Sequence, residues 1–324
     1  MSSFRILCII IIAGIFISML VNLNIGYIDL AISDFINSDS DNSQIAQLRV
    51  NRVLAMLLAG ISIPTSGFLL QEYFQNPLAG PSVLGITSVA SLSVAFYVFL
   101  SRDYQIPDFL QNSFISISAI AGSLLLMVVL LAFSARFTDK SFLIIFGFLI
   151  SALAGAVVSV LQLYAENESL KSYILWSFGA NSQVSANQFW VLAGIVLIGL
   201  ALSFMSIKPL IGNALGIAYA KSFGINLNQL KLLIIVASSL LSASVTAFLG
   251  PILFIGIVVP HFSRIIYNPS RLWQQWILNM ILGVLIMEVF SVASELTLFP
   301  LNVITSLFGI PVILMMLMSK KMAV

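Results

Sequence analysis

Charge is what this sequence has least of. Asp, Glu, Lys and Arg together make up 8% of the 324 residues, where a soluble domain carries about 25%. So few charges cannot cover the surface of a water-soluble chain of this length, so most of its surface must face lipid. Cysteine and histidine are nearly missing too. Cys8 is the one cysteine and His261 the one histidine. A disulfide within the chain is therefore excluded, a zinc site would lack ligands, and most metal chemistry is closed off. Cys8 reads as a small buried or lipid-facing residue. The net charge of +2 and the lack of any basic run argue against nucleic acid. No G-x-x-x-x-G-K-[ST], G-x-S-x-G or H-E-x-x-H occurs, so the chain is expected to have no enzymatic activity and no cofactor of its own. If ATP drives it, another chain binds the nucleotide.

What the sequence has in abundance is apolar residues, at 60% of the chain, with a mean hydropathy of +1.09. The run Ile6 to Val21 follows Arg5 and is longer than the apolar core of a signal peptide. It also lacks a clean A-x-A cleavage site, so it reads as a retained span. Apolar length and punctuation place ten spans near 6–24, 53–71, 83–100, 114–133, 141–163, 189–207, 231–249, 251–267, 276–297 and 301–318. The expected fold is an all-α polytopic membrane protein of about ten transmembrane helices, one domain over 1–324, with both termini cytoplasmic. Charge supports the count. Arg5, Arg136, Lys140, Lys208, Lys221, Lys231, Arg264, Arg271, Lys320 and Lys321 then all lie inside, ten of the fourteen basic residues, as the positive-inside rule requires. Asp29, Asp34, Asp39, Asp41, Asp103, Asp108, Glu166 and Glu168 fall outside. Moving the count by one would reverse half of the loops.

Several stretches stand out. In "GPILFIGIVVPHFSR", 250–264, only eight residues separate Pro251 from Pro260. Gly250 and Pro251 are expected to open a short helix that runs through Pro260 to about Tyr267, tolerable where protein rather than lipid surrounds it. Gly147, Ser151 and Gly155 recur every four residues as a stripe for close helix packing. Glu288 and Glu295 are the acids nearest the membrane interior, with Glu295 expected near the outer end and solvated. His261, near the inner end of its helix, suits a structural role. Arg49 and Arg52 stand three apart at the outer end of the second span, against the charge trend. They either balance the acidic loop before them or form an outward basic contact for an acidic partner. The inner stretch 208–231 is long and oddly apolar. Leu215, Ala218, Tyr219 and Phe223 recur there at helical spacing, with Gly216 and Gly224 near the ends. A short helix outside the membrane with such a face either lies on the interface or docks a cytoplasmic partner.

Long stretches in this order resemble one family. "LRVNRVLAMLLAGISIPTSGFLLQEYFQNPLAGPSVLGITS", "LGIAYAKSFGI", "LGPILFIGIVVPHFSR" and "FGIPVILMMLM" are similar to the signatures of FecCD-type permeases of bacterial ATP-binding-cassette importers, which carry iron-siderophores, haem or vitamin B12. The resemblance runs from about residue 45 to the C-terminus. It implies a multi-pass permease of the bacterial cytoplasmic membrane that pairs with a second permease subunit, the same or homologous. Two cytoplasmic ATPases would dock beneath, and an extracytoplasmic substrate-binding protein would deliver cargo from outside. It implies a coupling helix at Leu215, Gly216, Ala218, Tyr219, Phe223 and Gly224, and binding-protein docking at Arg49 and Arg52. Transport would follow alternating access between subunits, with the fifth and tenth spans among the walls, and iron-siderophore as the leading cargo. The chain departs from the family pattern at Asn51 and Ile217, and at Leu298 and Asn302 where an acid and a glycine are usual. The alternative of another class is an ion-coupled secondary transporter, for which Glu288 is the one serious carboxylate.

Overall fold

The computed structural model describes residues 2–26, 28–37, 39–101, 108–136, 140–179, 184–269 and 271–321. Asp103, one of the outer acids, lies outside them. All regular structure among the described residues is helical. Helix α1 (Ser2–Asn24) is followed by the short α2 (Ile32–Ile36) and the long α3 (Ser43–Phe74). Then come α4 (Ile86–Leu100), α5 (Asp108–Arg136), α6 (Lys140–Tyr164) and the short α7 (Asn167–Ser177). Helix α8 (Ala186–Ala214) leads through the six-residue α9 (Ile217–Ser222) into α10 (Leu227–Leu249). The chain finishes with α11 (Ile255–Ile266), α12 (Leu272–Thr297) and α13 (Leu301–Lys321).

Eight of these helices are long and apolar enough to cross a membrane: α1, α3, α5, α6, α8, α10, α12 and α13. Helices α4 and α11 are apolar but shorter. Together they give the ten expected crossings, with both termini on the cytoplasmic side. Each short helix is completed by irregular chain, 75–85 before α4 and 250–254 before α11. Irregular backbone at membrane depth is stable only inside protein. That is where these segments lie: Ala79, Leu84 and Ile252 are all buried.

Several boundaries differ from expectation, for physical reasons. Helix α11 starts at Ile255 and not at Gly250–Pro251. Gly250 and Phe254 both adopt positive φ, 76° and 66°, which no right-handed helix accommodates. At 12 residues it spans roughly 18 Å. Helix α3 begins ten residues before the expected 53 and runs for 32 residues, roughly 48 Å, so its first turns rise beyond the hydrocarbon. Helices α2 and α7 were not foreseen. Helix α7 packs on α4, with the Phe99 and Tyr173 rings 5.4 Å apart. Its end is tied to the start of α13: Asn302 donates through its backbone N to the Phe178 carbonyl at 3.0 Å and through Nδ2 to the Ser177 carbonyl at 3.2 Å. The departure at position 302 therefore has a structural use.

Helices α3 and α10 form the centre, buried along most of their lengths. One apolar core joins Met56, Ile63, Val196, Leu241, Val245, Val259 and Met287 across α3, α8, α10, α11 and α12. A second joins Phe68, Leu70, Ile86, Leu126, Leu143 and Ile234 across α3–α6 and α10. Helix α3 crosses α12 at Gly60 and Gly283. A Cβ on Gly283 would lie 2.1 Å from the Gly60 carbonyl oxygen, so only glycine permits this approach. In α6, Gly147 meets the Leu84 backbone in the same way, whereas Gly155 faces open space. The packing stripe is thus used within the chain at Gly147 and Ser151, against Leu84 and Gly85, and not at Gly155. Helices α1, α6 and α13 leave many large apolar side chains exposed, including Phe16, Phe148, Leu153 and Met315.

Candidate functional site

Two regions carry the candidate residues, one at each face of the bundle. At the inner face, α8 ends at Ala214 and the chain turns through Gly216, φ 106°, into α9. It leaves α9 through Gly224, φ 71°. Two positive-φ glycines let a six-residue helix sit between two long ones without strain. Ala220 is fully buried and seats α9. Leu215, Tyr219 and Phe223 are 58%, 62% and 69% exposed, and Ala218 is exposed beside them. The structure thus brings the predicted residues together as one protruding apolar knob. Tyr219 on α9, with Leu215 just before it and Phe223 just after it, forms on the basic side of the bundle an apolar surface that gains by being covered.

The base of the knob is held by groups that the sequence did not advertise. Asn213 Nδ2 donates to the Tyr73 carbonyl at 3.3 Å, and Gln75 Nε2 donates to the Asn213 carbonyl at 3.3 Å. These bonds fasten the end of α8 to the end of α3. On the same end of α3, Arg264 of α11 donates to Gln71 Oε1 at 2.9 Å and to Glu72 Oε1 at 2.7 Å. Gln71 Nε2 in turn donates to the Ile257 carbonyl at 3.2 Å. The inner ends of α3, α8 and α11 therefore form one hydrogen-bonded block from which α9 projects. His261, on the first turn of α11 beyond Pro260, is half-buried.

At the outer face, Arg49 and Arg52 lie in the early turns of α3. They are only 5% and 4% exposed. Arg49 Nη1 donates to the carbonyls of Leu23 and Asn24, both at 3.2 Å, and Nη2 donates to that of Ile28. Arg52 Nη2 donates to the carbonyls of Asn22 and of Ile25, the latter at 3.0 Å. A helix leaves its last four carbonyls without partners and carries partial negative charge at that end. The two arginines of α3 supply the missing donors and the opposite charge for α1. Their i, i+3 spacing, legible in the sequence, is what lets both reach the same helix end.

The remaining charge is balanced from α12. Arg52 Nη1 pairs with Glu295 Oε1 at 2.8 Å, and the Glu295 side chain is 19% exposed. Glu295 is therefore an ion-pair partner, not the solvated acid expected. Two turns deeper on α12, Glu288 is fully buried. Its Oε2 accepts from Asn22 Nδ2 at 2.7 Å, and Asn22 also donates to Ser291 Oγ at 3.1 Å. The outer ends of α1, α3 and α12 are thus knotted by Asn22, Arg49, Arg52, Glu288, Ser291 and Glu295. In this structure neither guanidinium is presented to the outside.

Among the described residues no three His, Cys, Asp or Glu side chains gather as a metal-binding group. What the geometry offers is a stiffened outer rim, a tightly crossed helical core and a cytoplasmic knob.

The family model described as the FecCD transport family matches residues 10–319. The chain is 28% identical to the hemin transport system permease protein HmuU of Yersinia pestis over 307 residues, covering 92% of this chain and 91% of that protein. It is also 28% identical to the vitamin B12 import system permease protein BtuC of Citrobacter koseri over 281 residues, covering 85% and 83%. Among solved structures, a metal-chelate type ABC transporter in an inward-facing conformation has a similar fold. Its TM-score is 0.84 at 23% identity, over 95% of this chain and 97% of that one.

Proposed function

The chain belongs to the FecCD transport family, and from that premise we propose that it is the permease subunit of an ATP-driven importer that moves an organic metal chelate, iron-siderophore foremost, across the bacterial cytoplasmic membrane. The observation that carries this reading is the exposed apolar knob of α9. A permease worked by a separate ATPase must offer that ATPase a surface to grip on the inner side, and a short helix seated in a groove is such a contact. Leu215, Ala218, Tyr219 and Phe223 would enter a groove on the ATPase, and Gly216 and Gly224 would set the angle at which the helix is offered.

The departures at Asn51, Ile217, Leu298 and Asn302 bear on partners rather than on class. The relatives named above carry haem and vitamin B12 in their names, at equal identity to this chain. Both cargoes are metals held in large organic ligands, which supports the cargo class. Iron-siderophore belongs to the same class and is the member put to the test. A second permease subunit, a pair of ATPases and an outer binding protein complete the assembly.

For the outer partner, we propose that Arg49 and Arg52 serve docking by holding the rim in shape. Their charges are spent on α1 and on Glu295, so the binding protein would meet a surface that they organise from beneath. The test of the whole reading is reconstitution: the permease, its ATPase and its binding protein in proteoliposomes, supplied in turn with iron-siderophore, haem and cobalamin. ATP-dependent accumulation of the iron-siderophore supports the proposal. Accumulation of haem or cobalamin alone overturns the cargo, and accumulation without the ATPase overturns the class.

A further inference from the structure

We propose that α2, at the outer face, is the docking surface for the substrate-binding protein, and that it takes a partner whose contact patch is apolar and ringed with Lys and Arg. The inference rests on the functional reading above and adds where the outer partner sits and which sign of charge it carries.

None of the five residues of α2 is buried. Ile32 and Ile36 stand four apart and so share one face, and they are 80% and 79% exposed. Ile28 and Phe35 are exposed as well. An apolar face left open on the water side of a membrane protein marks a contact surface. The segment is also held in place. Arg49 Nη2 donates to the Ile28 carbonyl, the Ala31 N–H donates to Asp34 Oδ2 at 2.9 Å, and the Asn37 N–H donates to the Ser33 carbonyl at 2.8 Å. The buried arginine of α3 thus fixes the chain that leads into α2, which gives its organising role a definite surface.

Charge selects the occupant. Asp29, Asp34, Asp39 and Asp41 fall in and around α2, and no Lys or Arg stands between Arg5 and Arg49. Asp29, Asp39 and Asp41 are exposed. The bases that follow, Arg49 and Arg52, are buried and bonded inward to α1 and Glu295. What remains outside is an apolar face among acids, the complement of an apolar patch among bases. A helix that lies on a membrane carries Lys and Arg on its polar face, whereas this one carries Asp34. A second copy of the chain, meeting α2 with its own α2 about a two-fold axis, would set the same aspartates against each other. A basic soluble protein meets neither objection.

The experiment measures binding of the purified binding protein to the permease–ATPase complex in nanodiscs, at about 0.05 and 0.5 M salt. Ile32→Ser with Ile36→Ser should weaken binding by about 30-fold, the scale of a hot spot. Asp39→Lys with Asp41→Lys should weaken it by about tenfold at low salt and by much less at high salt. Asp34 stays unchanged because it holds the Ala31 N–H. An environment-sensitive maleimide dye on Ile36→Cys, with Cys8→Ser as background, should report water until the binding protein is added and an apolar surrounding afterwards. The inference fails if either double variant binds like the parent, or if the lysines strengthen binding. It fails equally if the dye is shielded before the binding protein is added, since lipid or a second copy then covers α2. In each of those cases the functional reading stands. If the parent protein itself does not bind, both fall together.

Discussion

Arg52 on α3 and Glu295 on α12 pair at 2.8 Å, while the same guanidinium donates to the Asn22 and Ile25 carbonyls at the end of α1. One side chain thus joins three helices at the outer face. Removing one partner of a buried pair leaves an uncompensated charge, at a cost of about 3–5 kcal/mol. Glu295→Ala should therefore lower stability by an amount near the lower end of that range, since Glu295 keeps some exposure. The swapped double variant Arg52→Glu, Glu295→Arg should not recover the loss, because a carboxylate at position 52 cannot donate to the carbonyls of α1. Denaturation of the purified variants in one detergent checks both statements.

Arg49→Glu places a carboxylate against the carbonyls of Leu23, Asn24 and Ile28. Its first effect should be to loosen α1, read as faster amide exchange over residues 15–25. Binding-protein docking should weaken with it. Because the arginine acts from a buried position, the loss should persist when ionic strength is raised from about 0.1 to 1 M, where exposed charge pairs are screened. A defect that appears only at low salt would instead mean that Arg49 touches the partner directly.

Tyr219 and Phe223 contribute little to the bundle, as their exposure shows. Tyr219→Asp and Phe223→Ser should leave thermal stability within about 0.5 kcal/mol of the parent, as for other surface changes. If the knob is the ATPase contact, each should weaken ATPase binding by about 30-fold or more, the scale of an aromatic hot spot. Co-purification at controlled concentrations would measure it.

Glu288→Gln separates the two transport classes. An ion-coupled carrier would lose transport with this carboxylate. A permease driven by ATP should keep its cargo uptake, because the amide still offers an oxygen to Asn22 Nδ2. Uptake in proteoliposomes with the ATPase present decides between them.

Much of the fold could be read from the chain because lipid imposes simple rules. Long apolar runs had to be helices, and the sorting of basic residues fixed the even count. The knob was legible too, since Leu215, Tyr219 and Phe223 break the rule that inner loops are polar. What escaped was local backbone conformation. Nothing in "GPILF" reveals that Phe254 takes positive φ, so the start of α11 was misplaced. The arginine knot escaped for a different reason. The i, i+3 spacing of Arg49 and Arg52 was plain, but its partners, Asn22 and Glu295, lie 30 residues before and 243 after Arg52, and no local pattern links them. Glu295 looked solvated because it stands at a helix end, yet the early start of α3 brings Arg52 to meet it.

The central claim is that α9 lies on the cytoplasmic side and seats in a separate ATPase. Cysteine labelling tests it most directly, and the chain is suited to it, since Cys8 is its one cysteine. With Cys8→Ser as background and Tyr219→Cys as the probe, a membrane-impermeant maleimide should label inside-out vesicles and spare right-side-out ones, and bound ATPase should protect the site. Labelling from the outside, or labelling that the ATPase leaves unchanged, would contradict the account.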